Sequence, residues 1–125
     1  MKRSAVRALV IAVGLLASGI QTHASPKLSL RVSPTVGTAP GYVTVTATVQ
    51  PDADNRVLEI AADSGSFYRS SEIALDGERA PLMTQVALQN LPGGQYEISV
   101  VLRDRLGRTT RARRVVVILS RAGER

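Results

Sequence analysis

From Leu28 to Leu119 the chain consists of short runs in which every second residue is apolar, each cut off by Gly, Pro, Asp or Asn. A period of two sends alternate side chains to opposite faces of an extended strand, one for a core and one for solvent. Tyr42 to Val49 is the clearest run. Val43, Val45, Ala47 and Val49 share one face, and Thr44, Thr46 and Thr48 share the other. Three β-branched threonines on the polar face suit a strand and disfavour a helix.

The same pattern predicts strands around Leu28–Val32, Val57–Ala62, Leu82–Leu91, Tyr96–Arg103 and Thr109–Leu119. Leu58 and Ile60 are expected to point inward, as are Leu82, Val86 and Leu88. Phe67–Leu75 reads as one irregular edge strand or two short ones. Ser33-Pro34 should end or bend the first strand. Residues 37–41, 51–55, 63–66, 76–77 and 106–107 carry the turn chemistry of Gly, Pro, Asp and Asn. No downstream segment shows a 3.6-residue period, so the crossover helices of a parallel α/β fold are absent from the pattern. About seven short antiparallel strands in roughly 100 residues predict an all-β, two-layer Greek-key sandwich. A small β-barrel such as an OB-fold is the alternative.

Leu91-Pro-Gly-Gly-Gln-Tyr96 leads into the strongest alternating run. A Leu, a tight Gly turn and a Tyr opening the next strand resemble the tyrosine corner of immunoglobulin-like and fibronectin type III-like domains. The chain has neither the Cys pair nor the core Trp of antibody domains. The resemblance is therefore to a bacterial-type module of that class. It implies structural roles for Leu91, Gly94 and Tyr96, with the Tyr96 hydroxyl bonded to backbone just upstream.

The first 24 residues follow a different logic. Lys2, Arg3 and Arg7 are followed by the apolar stretch from Ala8 to Ile20 and then by Thr22-His23-Ala24. A basic start, an apolar centre and small residues before the cut are the layout of a secretory signal. The apolar stretch is shorter than the roughly 20 residues a membrane-spanning helix needs. The expected organisation is a cleavable signal peptide at 1–24, a sandwich domain at 25–120 and a frayed tail at 121–125. The expected location is periplasmic or secreted, with no integral membrane span once the signal is cleaved. Cleavage would lower the formal net charge from +6 to +3.

The sequence contains no Cys, and its single His is His23, within the expected signal. Zinc and most transition-metal sites draw on Cys and His, and Ser–His or Cys–His nucleophiles need an imidazole. The downstream chain supplies neither, so no metal, cofactor or enzymatic activity is expected. Glu59, Asp63, Glu72, Asp76 and Glu78 could be nominated for carboxylate catalysis, but none sits in a motif. Asp52-Ala-Asp54-Asn55 resembles the start of a calcium loop but lacks its Gly and distal Glu. Pairing of this loop with the Arg105–Arg108 turn is the expectation instead.

Positive charge gathers near the C-terminus. Residues 103–125 hold eight Arg against two acids, whereas 25–102 hold five basic and eight acidic residues. Arg103, Arg105, Arg108, Arg111, Arg113 and Arg114 form a candidate anion or partner patch on one hairpin. Arg111 and Arg113 should share a face. The Arg113-Arg114 doublet suggests a bulge, after which Val115, Val117 and Leu119 would face inward. With Tyr42, Phe67, Tyr68 and Tyr96 as the aromatics, base stacking is poorly served, and no nucleic-acid partner is expected. The expected function is a non-catalytic extracytoplasmic interaction module, holding an unknown protein or an anionic envelope polymer. The alternative is a structural or assembly subunit that pairs through an edge strand.

Overall fold

In a computed structural model the described residues are 26–121. The expected signal segment 1–24, with His23, and residues 122–125 of the expected tail lie outside them.

Eight strands follow one another: β1 (Leu28–Ser33), β2 (Val36–Thr38), β3 (Gly41–Val49), β4 (Asn55–Asp63), β5 (Tyr68–Ala74), β6 (Met83–Leu91), β7 (Gly94–Asp104) and β8 (Thr109–Leu119). A single 3-10 turn, Gly77–Arg79, lies between β5 and β6. The strands form a three-stranded sheet, β1-β3-β6, and a five-stranded sheet, β2-β8-β7-β4-β5. The fold is an all-β sandwich, and its sheets do not close into a barrel. One pairing is parallel, β2 with β8, so the larger sheet is mixed.

The alternation decides the core. Val43, Val45, Ala47 and Val49 of β3 face Leu58 and Ile60 of β4 and Tyr96, Ile98, Val100 and Leu102 of β7, all buried. Burying a side chain of this size stabilises by about 1.5–3 kcal/mol each before the entropy cost of ordering the chain. The threonines of β3 lie on the outer face of the small sheet, as their spacing predicts.

Four local expectations need correction. The stretch 37–41 is not wholly a turn, because Val36–Thr38 forms β2 and pairs with Val117–Leu119. After Ser33 the chain leaves the small sheet and joins the edge of the large one. Phe67–Leu75 holds one regular edge strand, β5, paired along its whole length with β4. Leu82 precedes β6 and is exposed, since the sandwich does not extend over it.

The fourth correction concerns the arginine doublet. β7 and β8 pair without interruption from Gly94↔Ile118 to Arg103↔Thr109. There is no bulge at Arg113-Arg114. Val116 and Ile118 are the buried residues, whereas Val115 and Leu119 are exposed. Arg114 pairs with Ile98 and so occupies the core-facing row, between Ala112 and Val116. The irregularities in register lie elsewhere, at Gly41/Val43 in β3 and Asn55/Val57 in β4.

At the β6–β7 connection the Tyr96 ring is fully buried and its hydroxyl donates to the Pro92 carbonyl at 2.6 Å. Phe67 packs edge-on against the Tyr96 ring, 6.2 Å between centroids. Burial raises the Tyr96 phenol above its ordinary pKa. Leu91 is fully buried beside it, and Gly94 opens β7 at a φ of 156°, against Ser64.

Candidate functional site

The six hairpin arginines do not form one surface. They divide into three groups, and one of the six, Arg114, lines a concave site.

Arg105 and Arg108 belong to the loop end. Asp104 closes β7 on its inward row and is 4% exposed. Its carboxylate accepts the Leu106 and Arg108 backbone N–H groups, both at 2.9 Å, and Arg108 Nε at 2.8 Å. Burial alone would raise its pKa. The Arg108 backbone and side-chain hydrogen bonds and the Leu106 N–H outweigh that and hold it below the ordinary carboxylate range. Arg105 Nε donates to Asp54, and the Arg105 N–H donates to the Asp54 carbonyl at 2.8 Å. The hydrogen bond and charge of Asp54 raise the Arg105 guanidinium pKa further. The two loops are thereby tied together, and the charge of both arginines is spent on Asp54 and Asp104. Beside them Asn55 is buried, with Nδ2 donating to the Gln50 carbonyl at 3.0 Å.

Arg103, Arg111 and Arg113 lie on the outer face of the large sheet, since their register positions alternate with the buried Leu102 and Val100 and the partly buried Ala112. Arg111 and Arg113 share this face, as their spacing predicts. Arg113 stands 3.9 Å from Glu97 across the β7–β8 pair. Farther across the same face Glu59 pairs with Glu72, and Asp63 with Glu97. The outer face is thus basic along β8 and acidic along β4 and β5. The nominated carboxylates do not converge: Asp76 and Glu78 lie at the 3-10 turn, away from the other three. Among the described residues no group of three or more His, Cys, Asp or Glu is placed to hold a metal ion. Among them also no helix is long and apolar enough to cross a membrane.

Arg114 is the exception. From the core-facing row of β8 its side chain leaves the sandwich at the seam beside β1. There it lines a half-open groove of about 500 Å³. Arg31, on the outward face of β1, lines the same groove, with Ser29, Thr46, Thr48 and Thr35. Ser29 pairs with Thr48 and Arg31 with Thr46, so two hydroxyl-bearing rows run beside the arginine. Met83, opposite Thr48 on β6, forms the apolar end. The sequence reading missed Arg31 and the threonines as site residues. The outward face was legible from the alternation, but nothing local connects β1 to a strand 80 positions later.

No protein-family model and no curated relative matches the chain. Solved structures do resemble it. Superoxide reductase (neelaredoxin) from Ignicoccus hospitalis aligns with a TM-score of 0.60 at 14% identity, over 74% of this chain and 80% of its own. The sulfur carrier protein SoxY from Chlorobium limicola f thiosulfatophilum aligns at 0.55 and 14% identity, over 86% of this chain and 94% of its own. A family 76 glycoside hydrolase from a bovine Bacteroides thetaiotaomicron strain aligns at 0.52 and 18% identity over 73% of this chain, but over 20% of its own length. At such identities the likeness is one of fold. It corrects the expectation of a non-catalytic extracytoplasmic module holding a protein or an anionic envelope component, and its edge-pairing alternative. The sandwich taken to mark such a module is also the frame of a reductase and of a sulfur carrier.

Proposed function

We propose that the chain is a carrier-type β-sandwich serving redox or sulfur chemistry, with the reacting group supplied by what it binds rather than by its own side chains. The observation that carries this reading is the end-to-end alignment with a sulfur carrier, over 86% of this chain and 94% of the other. The superoxide reductase alignment points to the same broad chemistry. The second half of the proposal follows from composition. A thiol-borne cargo needs cysteine, and the sequence has none. The test is deletion of the gene in its native organism, scored for growth on reduced sulfur compounds and for survival under superoxide stress. Impairment in either supports the reading. Wild-type behaviour in both refutes it.

Within β-sandwiches we place the chain with immunoglobulin-like and fibronectin type III-like modules. Support comes from the split of the first strand between two sheets and from the Tyr96 hydroxyl bond to Pro92. The proposal includes export, with 1–24 removed, 25–120 as the domain and 121–125 as its tail. N-terminal sequencing of protein from the periplasmic or secreted fraction should read from Ser25. Intact Met1 would refute export by cleavage.

A further inference from the structure

We propose that the groove between β1 and β8 binds a tetrahedral oxyanion of sulfur or phosphorus through Arg31 and Arg114. The inference goes beyond the carrier reading and does not depend on it.

Three observations converge. The first is charge without compensation. Arg105, Arg108 and Arg113 each have a carboxylate within 4 Å, whereas Arg31 and Arg114 have none among the described residues. Among the described residues no acidic side chain lines the groove. Arg114 Nη1 makes one hydrogen bond, to the Arg113 carbonyl at 2.7 Å, which orients the guanidinium and leaves its other donors available. The second is donor chemistry. A guanidinium presents paired N–H groups that match two oxygens of a sulfate or phosphate, and neighbouring hydroxyls can satisfy the others. Ser29, Thr35, Thr46 and Thr48 supply those hydroxyls within the same groove.

The third is the position of Arg114. Arg114 stands on a core-facing row, paired with the fully buried Ile98, yet its own side chain is exposed and opens onto the groove. Protection of the β8 edge from aggregation would explain Arg114 alone. It would not explain Arg31 on another sheet, the hydroxyl rows or the lack of carboxylates. A volume of about 500 Å³ lies within the range of small-molecule sites and exceeds a bare ion, so it admits an inorganic oxyanion with water or a small molecule bearing such a group.

The test is calorimetric titration of the folded domain with sulfate, thiosulfate and phosphate at constant ionic strength, with chloride as the control. Saturable one-to-one binding of an oxyanion and none of chloride is expected. Tighter binding of the sulfur oxyanions would assign the site to sulfur ligands, and tighter binding of phosphate to phosphoryl ligands. Arg31→Gln, at an exposed position, should weaken binding about tenfold or more without disturbing the fold, the loss expected for a charge-assisted hydrogen-bond pair. Arg114→Gln should do the same. Arg111→Gln removes an equal charge from the outer face and should leave affinity within about twofold, because the exposed charge acts through screened solvent. Absence of saturable oxyanion binding would overturn the proposal. So would an Arg111→Gln loss as large as that of Arg31→Gln, since diffuse positive charge would then account for the binding.

Discussion

Replacing Tyr96 with Phe removes one oxygen from the best-buried aromatic of the domain and nothing else. The hydroxyl donates to the Pro92 carbonyl at 2.6 Å, and the ring is fully buried. A net intramolecular hydrogen bond contributes about 0.5–1.5 kcal/mol, and leaving a buried acceptor unpaired costs about 1–3 kcal/mol. Pro92 itself is exposed, so water can reach its carbonyl in the variant. The lower figure applies, and Tyr96→Phe should destabilise by about 1 kcal/mol. For a domain of this size that lowers Tm by about 4–8 °C. The Phe ring preserves the edge-on contact with Phe67, so the secondary structure should not change.

A second readout separates the hydroxyl from a packing effect. Burial raises the phenol pKa in the folded state. A raised folded pKa gives stability that is present below the unfolded value of about 10 and is lost as pH rises through the folded value. The native protein should therefore lose stability above about pH 10 more steeply than Tyr96→Phe does. Urea unfolding at pH 7 and across pH 9–11 measures both quantities. An unchanged midpoint at pH 7 would refute the role assigned to the hydroxyl. Parallel alkaline limbs would refute its buried protonated state.

Asp104→Asn removes the charge that organises the β7–β8 turn. The folded Asp104 pKa is depressed, so its stabilisation is present above the ordinary carboxylate range and is lost as pH falls through the folded value. The variant should be less stable at pH 7 and show a shallower loss below about pH 4 in acid titrations followed by circular dichroism. Gly107, at φ 83° in the same turn, has open space around a would-be Cβ. Gly107→Ala should therefore cost about 1–2 kcal/mol from backbone conformation alone, read as a lower urea midpoint. Glu59 and Glu72 are directly paired like charges on the outer face. Glu72→Lys should raise stability by about 0.2–1 kcal/mol in low salt, with the gain shrinking in 1 M NaCl.

The strands were largely legible because their signals are local. In β3 the period of two separates core from solvent without reference to any other strand, and the same holds for Tyr96, Ile98, Val100 and Leu102 of β7. The Gly-rich approach to Tyr96 was also readable, since the hydroxyl bond spans four residues. The second half of β8 departs from its local pattern. Arg113-Arg114 next to three apolar residues suggested a bulge, but ten uninterrupted pairs with β7 outweigh the preference of one Arg for solvent. Arg114 escapes the core through an open seam instead, a solution no local pattern reveals.

Apart from β2 and the inward face of late β8, local pattern and composition gave the strands, the inward faces of β3, β4 and β7, and the lack of cysteine. Each depends on residues a few positions apart or on composition. Tertiary structure decided which arginines stand without a carboxylate nearby. Asp54 pairs with Arg105 across 51 positions of sequence, as expected of these two loops, whereas the approach of β1, which brings Arg31 to the groove that Arg114 enters, had no local signal. Electrostatic compensation depends on distance in space, and alternation along a strand carries no information about which strand lies opposite.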